Sequence, residues 1–165
     1  MLVSFDLLPN NARVWVYQAA RELNEQEVRS IEESLEIFVN DWKRHGEPLK
    51  ASFKILHNQF IILGVDESYN NVSGCSIDSS VHKLQELEQV LNVDLMNKMA
   101  IAFKVGDNVN TLSMLQFQQF VKEGKISSDT IVFNNLINSK QELESNWQIP
   151  ASKSWHNRFF NTVKS

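Results

Sequence analysis

The sequence predicts an α+β fold: a ferredoxin-like βαββαβ body with a C-terminal α/β extension packed on it. Three observations predict it. Apolar residues recur at helical spacing in two segments, near residues 25–44 and 76–91. β-branched and aromatic runs stand before, between and after those segments, in the order strand, helix, strand, strand, helix, strand. The 165 residues are 42% hydrophobic and 22% charged, with five glycines and three prolines, a composition suited to a packed core and unlike a disordered chain. On this reading residues 1–11 are an N-terminal arm, residues 12–110 the body and residues 111–165 the extension.

The elements follow in order. Arg13-Val14-Trp15-Val16-Tyr17-Gln18 is β-branched and aromatic, and reads as a first strand. Asn24 with Glu27 three residues on is a capping-box signal. Val28, Ile31, Leu35, Phe38 and Trp42 then lay one apolar stripe along a helix, which Gly46 and Pro48 stop. Glu25 and Glu27 at its start, with Lys43 and Arg44 at its end, match the helix dipole. Residues 51–57 and 60–65 read as a hairpin around Asn58-Gln59. The second of these strands is apolar on both sides, the pattern of a central, covered strand. After a polar loop at residues 68–74, Ile77, Val81, Leu84, Leu87 and Leu91 mark a second helix beginning near Ser76. Residues 99–105 supply the fourth strand, ending at Gly106-Asp107-Asn108.

In the extension, Ser113 and Gln116 form a second capping box, with Leu112 and Phe117 as its staple and Gly124 closing the helix. Ile131-Val132-Phe133 is a short strand, and Ser139 with Glu142 predicts one more helical turn. Trp147, Pro150, Trp155, Phe159 and Phe160 carry much apolar area. Residues 1–110 have a net charge of −6 and residues 111–165 of +2, so weak attraction favours docking of the tail on the acidic body.

Charge and cysteine content exclude several functions. A net charge of −4 is wrong for a dedicated nucleic-acid binder. One cysteine excludes an intrachain disulfide framework and every multi-cysteine metal motif. Asp6 interrupts the apolar N-terminus, which lacks the basic start and cleavage pattern of a secretory signal. No apolar run nears the ~18 residues of a membrane span, so direct membrane insertion is not expected. The expected compartment is the cytoplasm, where a lone thiol stays reduced.

Two constellations could carry function. Cys75, Asp78 and His82 fall within about 60° on one helix face, opposite the apolar stripe. A thiol at a helix N-terminus is activated by orphan N–H groups, His82 could accept its proton and Asp78 could orient His82. Two helical turns, roughly 10 Å, separate Cys75 from His82, however. The simpler reading makes Ser76, Asp78 and Ser79 helix-start residues and Cys75 a small filler. A metal site would need further ligands from His45, His57, His156, Asp66 or Glu67, which the spacing does not demand. No metal and no cofactor are expected.

The second constellation is the sheet face. With Val14 and Val16 towards the helices, Trp15 and Tyr17 point away, joined by Lys54 and Lys104 from the neighbouring strands, as a surface for flat or anionic ligands. The plainer expectation is that Trp147, Trp155 and Phe159, or a second subunit, cover that face. Lys153, His156 and Arg158 form a small cationic cluster that reads as solvated surface.

The stretches Arg13-Val14-Trp15-Val16-Tyr17-Gln18, Gly74-Cys75-Ser76-Ile77-Asp78-Ser79-Ser80-Val81-His82, Thr130-Ile131-Val132-Phe133-Asn134-Asn135 and Ser154-Trp155-His156 resemble a family of small bacterial proteins that carry the label "ABC transporter ATPase". The resemblance runs from about residue 12 to the end and implies membership of that family, whose label names a transporter-associated ATPase but which supplies no established activity. A P-loop would require a glycine-rich turn ending Gly-Lys-Ser/Thr. Glycines 46, 64, 74, 106 and 124 have no such neighbourhood, although Phe60 to Glu67 resembles the second nucleotide motif. Lys125 to Val132, followed by Trp147, Pro150 and Ala151, is similar to GYF-like adaptor modules over about 40 residues. The functional expectation is a non-enzymatic interaction module working through the aromatic sheet face and Trp-rich tail. Its partner would be another protein or a second copy, and a small-molecule ligand is admitted. The alternative is a small cysteine-dependent enzyme using Cys75, His82 and Asp78.

Overall fold

The computed structural model of the chain describes residues 1–161, so the last four residues of the expected extension lie outside the described residues. The fold is mixed α and β, and the chain divides into two compact units. One comprises residues 1–97 with 138–141, the other residues 98–137 with 142–161 of those described. The chain leaves the first unit at Asn97/Lys98 and returns to it at residues 138–141.

The first unit opens with a 3-10 turn at Phe5–Leu7, then β1 (Arg13–Gln18). Helix α1 (Glu25–Asp41) starts with the predicted box: Asn24 Oδ1 accepts from Glu27 N at 2.8 Å, and Asn24 N donates to Glu27 Oε1 at 2.9 Å. Lys43 and Arg44 do not belong to its last turn. They form β2 (Lys43–Arg44), paired with β3 (Glu47–Pro48) across His45 and Gly46, both with positive φ. The turn precedes Pro48, and only Gly46 takes the left-handed region without side-chain strain. Strands β4 (Ala51–Leu56) and β5 (Phe60–Val65) make the predicted hairpin, and α2 (Gly74–Leu91) begins behind an N-cap at Ser73.

The sheet order is β1-β5-β4, entirely antiparallel. Every residue of β5 is buried, as its double-sided apolar pattern predicts. Ile61, Leu63 and Val65 face Ile31, Leu35 and Val39 of α1 and Leu84 and Leu87 of α2 in one core. Fully burying one such side chain stabilises by about 1.5–3 kcal/mol. The opposite face is closed by the N-terminal arm. Leu8 and Phe5 lie so near Gly64 that a Cβ there would meet Leu8 Cδ1 at 2.8 Å and Phe5 Cε2 at 3.3 Å. A side chain at position 64 would push the Leu8 methyl end and the Phe5 ring from their seats.

The predicted fourth strand does not join this sheet. Along the outer edge of β1 runs the short segment 138–141 instead, with Val14 N donating to Asn138 O and Lys140 N to Ala12 O. Ala100–Val105 is β6 of a second sheet, ordered β7-β6-β8-β9, within the other unit. It turns through Gly106-Asp107 into β7 (Asn108–Ser113), where the sequence predicts only the end of a strand. Helix α3 (Met114–Lys122) carries the predicted Ser113–Gln116 box. Strand β8 (Ile131–Phe133) follows, then α4 (Lys140–Ser145), through which the chain passes from one unit to the other, then β9 (Gln148–Pro150) and α5 (Arg158–Asn161). Phe103, Phe117, Val121, Val132 and Phe159 centre this unit's own core.

Candidate functional site

The two strands beside β5 decide where the expected aromatic face points. Trp15 pairs with Leu63 and Tyr17 with Ile61, so both side chains lie on the helix side. The Trp15 ring sits 6.1 Å from Trp42 at the end of α1, and Tyr17 Oη lies 3.5 Å from Ser80 Oγ on α2. This inverts the expectation. Both alternations of β1 are apolar, so period alone does not orient it. Lys54 does point to the other face, where its ammonium lies 4.9 Å from the Phe5 ring and 3.9 Å from Asp6. Lys104 is on β6, in the second unit. Trp15, Tyr17, Lys54 and Lys104 therefore share no face.

The Trp-rich tail is also spent on packing. Trp147 is buried, stands edge-on to Phe133 at 5.0 Å and donates from Nε1 to Asn135 Oδ1 at 2.8 Å. Phe159 contacts Phe117 at 5.4 Å. His156, read as a surface cation, is 1% exposed: it stacks on Trp155 at 3.9 Å, and its Nδ1 is 2.7 Å from Ser154 Oγ. Burial, with the Arg158 charge adding to it, pushes its pKa down to about 4. Arg158 remains outside, its guanidinium over the Trp155 and Phe159 rings.

Cys75, Asp78 and His82 are all exposed on α2. Among the described residues no hydrogen bond joins their side chains, and α2 is regular through all three, so Cys75 and His82 stay about two turns apart. Among the described residues no cluster of three His, Cys, Asp or Glu could hold a metal ion. The stretch that resembled a nucleotide motif has a local role. Asp66 Oδ1 accepts from Ser68 N and Oγ, and these bonds, foremost that from the Ser68 hydroxyl, hold its pKa down, with Lys50 at 3.7 Å adding to them.

A different place combines concavity with exposed apolar surface, and sequence reasoning missed it. The end of α1 and the start of α2 are tied by Trp42 Nε1 donating to Ser76 O and by Ser76 Oγ donating to Lys43 O, each at 2.8 Å. Beside this tie lies a groove of about 370 Å³, lined by Ile37, Phe38, Asp41, Trp42, Lys43, Ser79 and Lys83. Phe38 and Trp42, their rings tilted to one another with centroids 5.3 Å apart, line its wall, while Ile37 is 69% exposed. Glu33, Ile37 and Asp41 form one row on α1; Ser79, Lys83 and Glu86 form another on α2, where Lys83 and Glu86 pair at 3.0 Å. Ile37 falls outside the stripe of Val28, Ile31, Leu35 and Phe38, and that was the available signal. A large β-branched residue stands off the core face among Glu33, Glu36 and Asp41.

No protein-family model, curated protein or solved structure matches this chain. No helix among the described residues is long and apolar enough to cross a membrane.

Proposed function

We propose that this chain is a non-enzymatic protein-interaction module of the cytoplasm, and that its contact surface is the groove between α1 and α2. The observation that carries the reading is Ile37. It is 69% exposed beside a concave wall of Phe38 and Trp42, and lysines from two elements flank it. An isoleucine on an otherwise charged helix face gains stability when a partner covers it, whereas the core does not need it there. Trp15 and Tyr17 support the module differently, by filling the core of the first unit beneath α1 and α2, whereas the aromatic side chains of the tail fill the core of the second unit. A ferredoxin-like ancestry of the β1-β5-β4 sheet, with segment 138–141 standing where a fourth strand would pair, is part of the same proposal.

The two-turn separation of Cys75 and His82 on α2 favours binding over thiol catalysis, because among the described residues no hydrogen bond joins the thiol to His82 or Asp78. Cys75 lies one helical turn from Ser79 of the groove and is a natural attachment point. A photoactivatable maleimide on Cys75, illuminated in extract of the native cell, is expected to give a discrete protein adduct. That adduct should vanish in Ile37→Asp and persist in Leu115→Asp, a change at an equally exposed site in the other unit. An adduct indifferent to Ile37→Asp, or none at all, would sink the reading.

A further inference from the structure

We propose that residues 4–12 and 138–141 open and close as one unit, a strap on the first unit's sheet that Lys140 latches. The inference goes beyond the groove reading and does not depend on it. Lys140 is where the two pieces meet. It is 7% exposed, and its ammonium donates to Leu8 O at 2.7 Å and to Asp6 O at 3.2 Å, 132 and 134 residues away in sequence. The main chain makes the same join: Lys140 N donates to Ala12 O and Gln141 N to Asn10 O, each at 2.9 Å. On its other side the strap is seated by Leu8 and Phe5, both buried, against Gly64 of β5. Its internal main-chain bonds are short turns, from Leu7 N to Ser4 O, Leu8 N to Phe5 O and Ala12 N to Pro9 O. Turns of this kind hold a segment weakly on their own, so the seat at Gly64 and the latch carry the closure. Bonds donated by an ammonium are stronger than neutral ones, which makes Lys140 the main link. Lifting either piece breaks bonds that both share, so opening one favours opening the other, and the coupling is reciprocal. Val3 N is tied separately to Ala51 O at 2.9 Å and marks the strap's fixed end. Segment 138–141 continues at both ends into the second unit. An event that draws it off β1 therefore also frees Leu8 and Phe5 from the sheet, and the latch makes closure of the strap answer to the chain of the other unit.

Hydrogen exchange of individual amides, followed by NMR on the full chain under native conditions, tests the proposal. In the wild type the amides of Leu7, Ala12, Lys140 and Gln141 are expected to share one level of protection, below that of Phe60–Val65 in β5. Leu8→Ala keeps the carbonyl that Lys140 binds and removes only the side chain seated at Gly64. It should speed exchange at Leu7 and Ala12 by about tenfold or more, and at Lys140 and Gln141 by the same factor. Leu8→Val gives the same pattern with a smaller factor if the alanine variant does not fold. Lys140→Met should in turn speed exchange at Leu7 and Ala12 by about tenfold. Exchange at Lys140 and Gln141 that is unmoved by the Leu8 variants, or moved by a clearly smaller factor than at Leu7 and Ala12, overturns the proposal. So does wild-type protection of the four amides equal to that of β5, because the strap would then open only when the whole unit unfolds.

Discussion

His156 makes the pH dependence of the second unit calculable. Its ring is 1% exposed between Trp155 and Phe117, with Nδ1 held 2.7 Å from Ser154 Oγ, and it titrates at about 4 instead of the ordinary 6.5. Below pH 6.5 the unfolded chain binds a proton that the folded chain refuses until about pH 4. Stability is therefore full above about 6.5, falls as the pH drops, and levels off below about 4. The gap between the two values corresponds to about 3 kcal/mol in all, of which about 2 kcal/mol is lost by pH 5. In His156→Phe the ring is kept but cannot titrate. That variant should be weaker near pH 7, by about 1–3 kcal/mol, because the Ser154 hydroxyl loses its buried partner. Urea unfolding followed by tryptophan fluorescence between about pH 7 and pH 5 isolates the histidine as the difference in pH slope, since every other group cancels. The wild type should lose about 2 kcal/mol more than the variant over that interval. Equal slopes, or a His156 ring that titrates near 6.5 by NMR, would refute the argument that burial holds it neutral.

Other expectations concern the first unit. Arg21 clasps both Glu27 oxygens at 2.8–2.9 Å, and with the Asn24 backbone bond this lowers the Glu27 pKa to about 2. Stability from this pair is present above about pH 4.5 and fades as pH falls towards 2, so Arg21→Ala should flatten the acid limb of the urea-midpoint profile. Lys140 is buried and donates to Leu8 O at 2.7 Å and Asp6 O at 3.2 Å. Lys140→Met should strand both carbonyls, costing about 1–3 kcal/mol, and should open the arm near Leu7 to limited proteolysis. Cys75→Ser should change stability by less than about 0.5 kcal/mol. The rate at which the Cys75 thiol reacts with a disulfide reagent should have the same pH profile in Asp78→Ala and His82→Ala as in the wild type. A profile displaced by either variant would revive the thiol-enzyme reading.

Local structure was legible wherever a side chain must satisfy a backbone group or a stripe must face a core. The Asn24–Glu27 and Ser113–Gln116 boxes and the covered strand β5 all follow from that chemistry. Partnering was not legible. Residues 100–105 read as a strand from their alternation, but alternation does not say which edge a strand joins, and segment 138–141, over 100 residues from β1, took the place. Strand β7 was hidden because Asn108, Asn110 and Thr111 interrupt its apolar pattern, although the Gly106-Asp107 turn suits a tight hairpin. The inverted face of β1 has the same origin: Val14 and Val16 alternate with Trp15 and Tyr17, and both sets are apolar. His156 sits two residues from Arg158 and reads as solvent-facing until the Trp155 and Phe117 rings are seen around it.

Hydroxyl-radical footprinting of the chain alone and in the complex recovered from extract of the native cell tests most directly whether the α1–α2 groove is the contact surface. The account predicts that oxidation of Ile37 and Phe38 falls in the complex, while that of Leu115 and Leu136, exposed in the other unit, stays constant. A complex that protects Leu115 or Leu136 and leaves Ile37 fully reactive would contradict it.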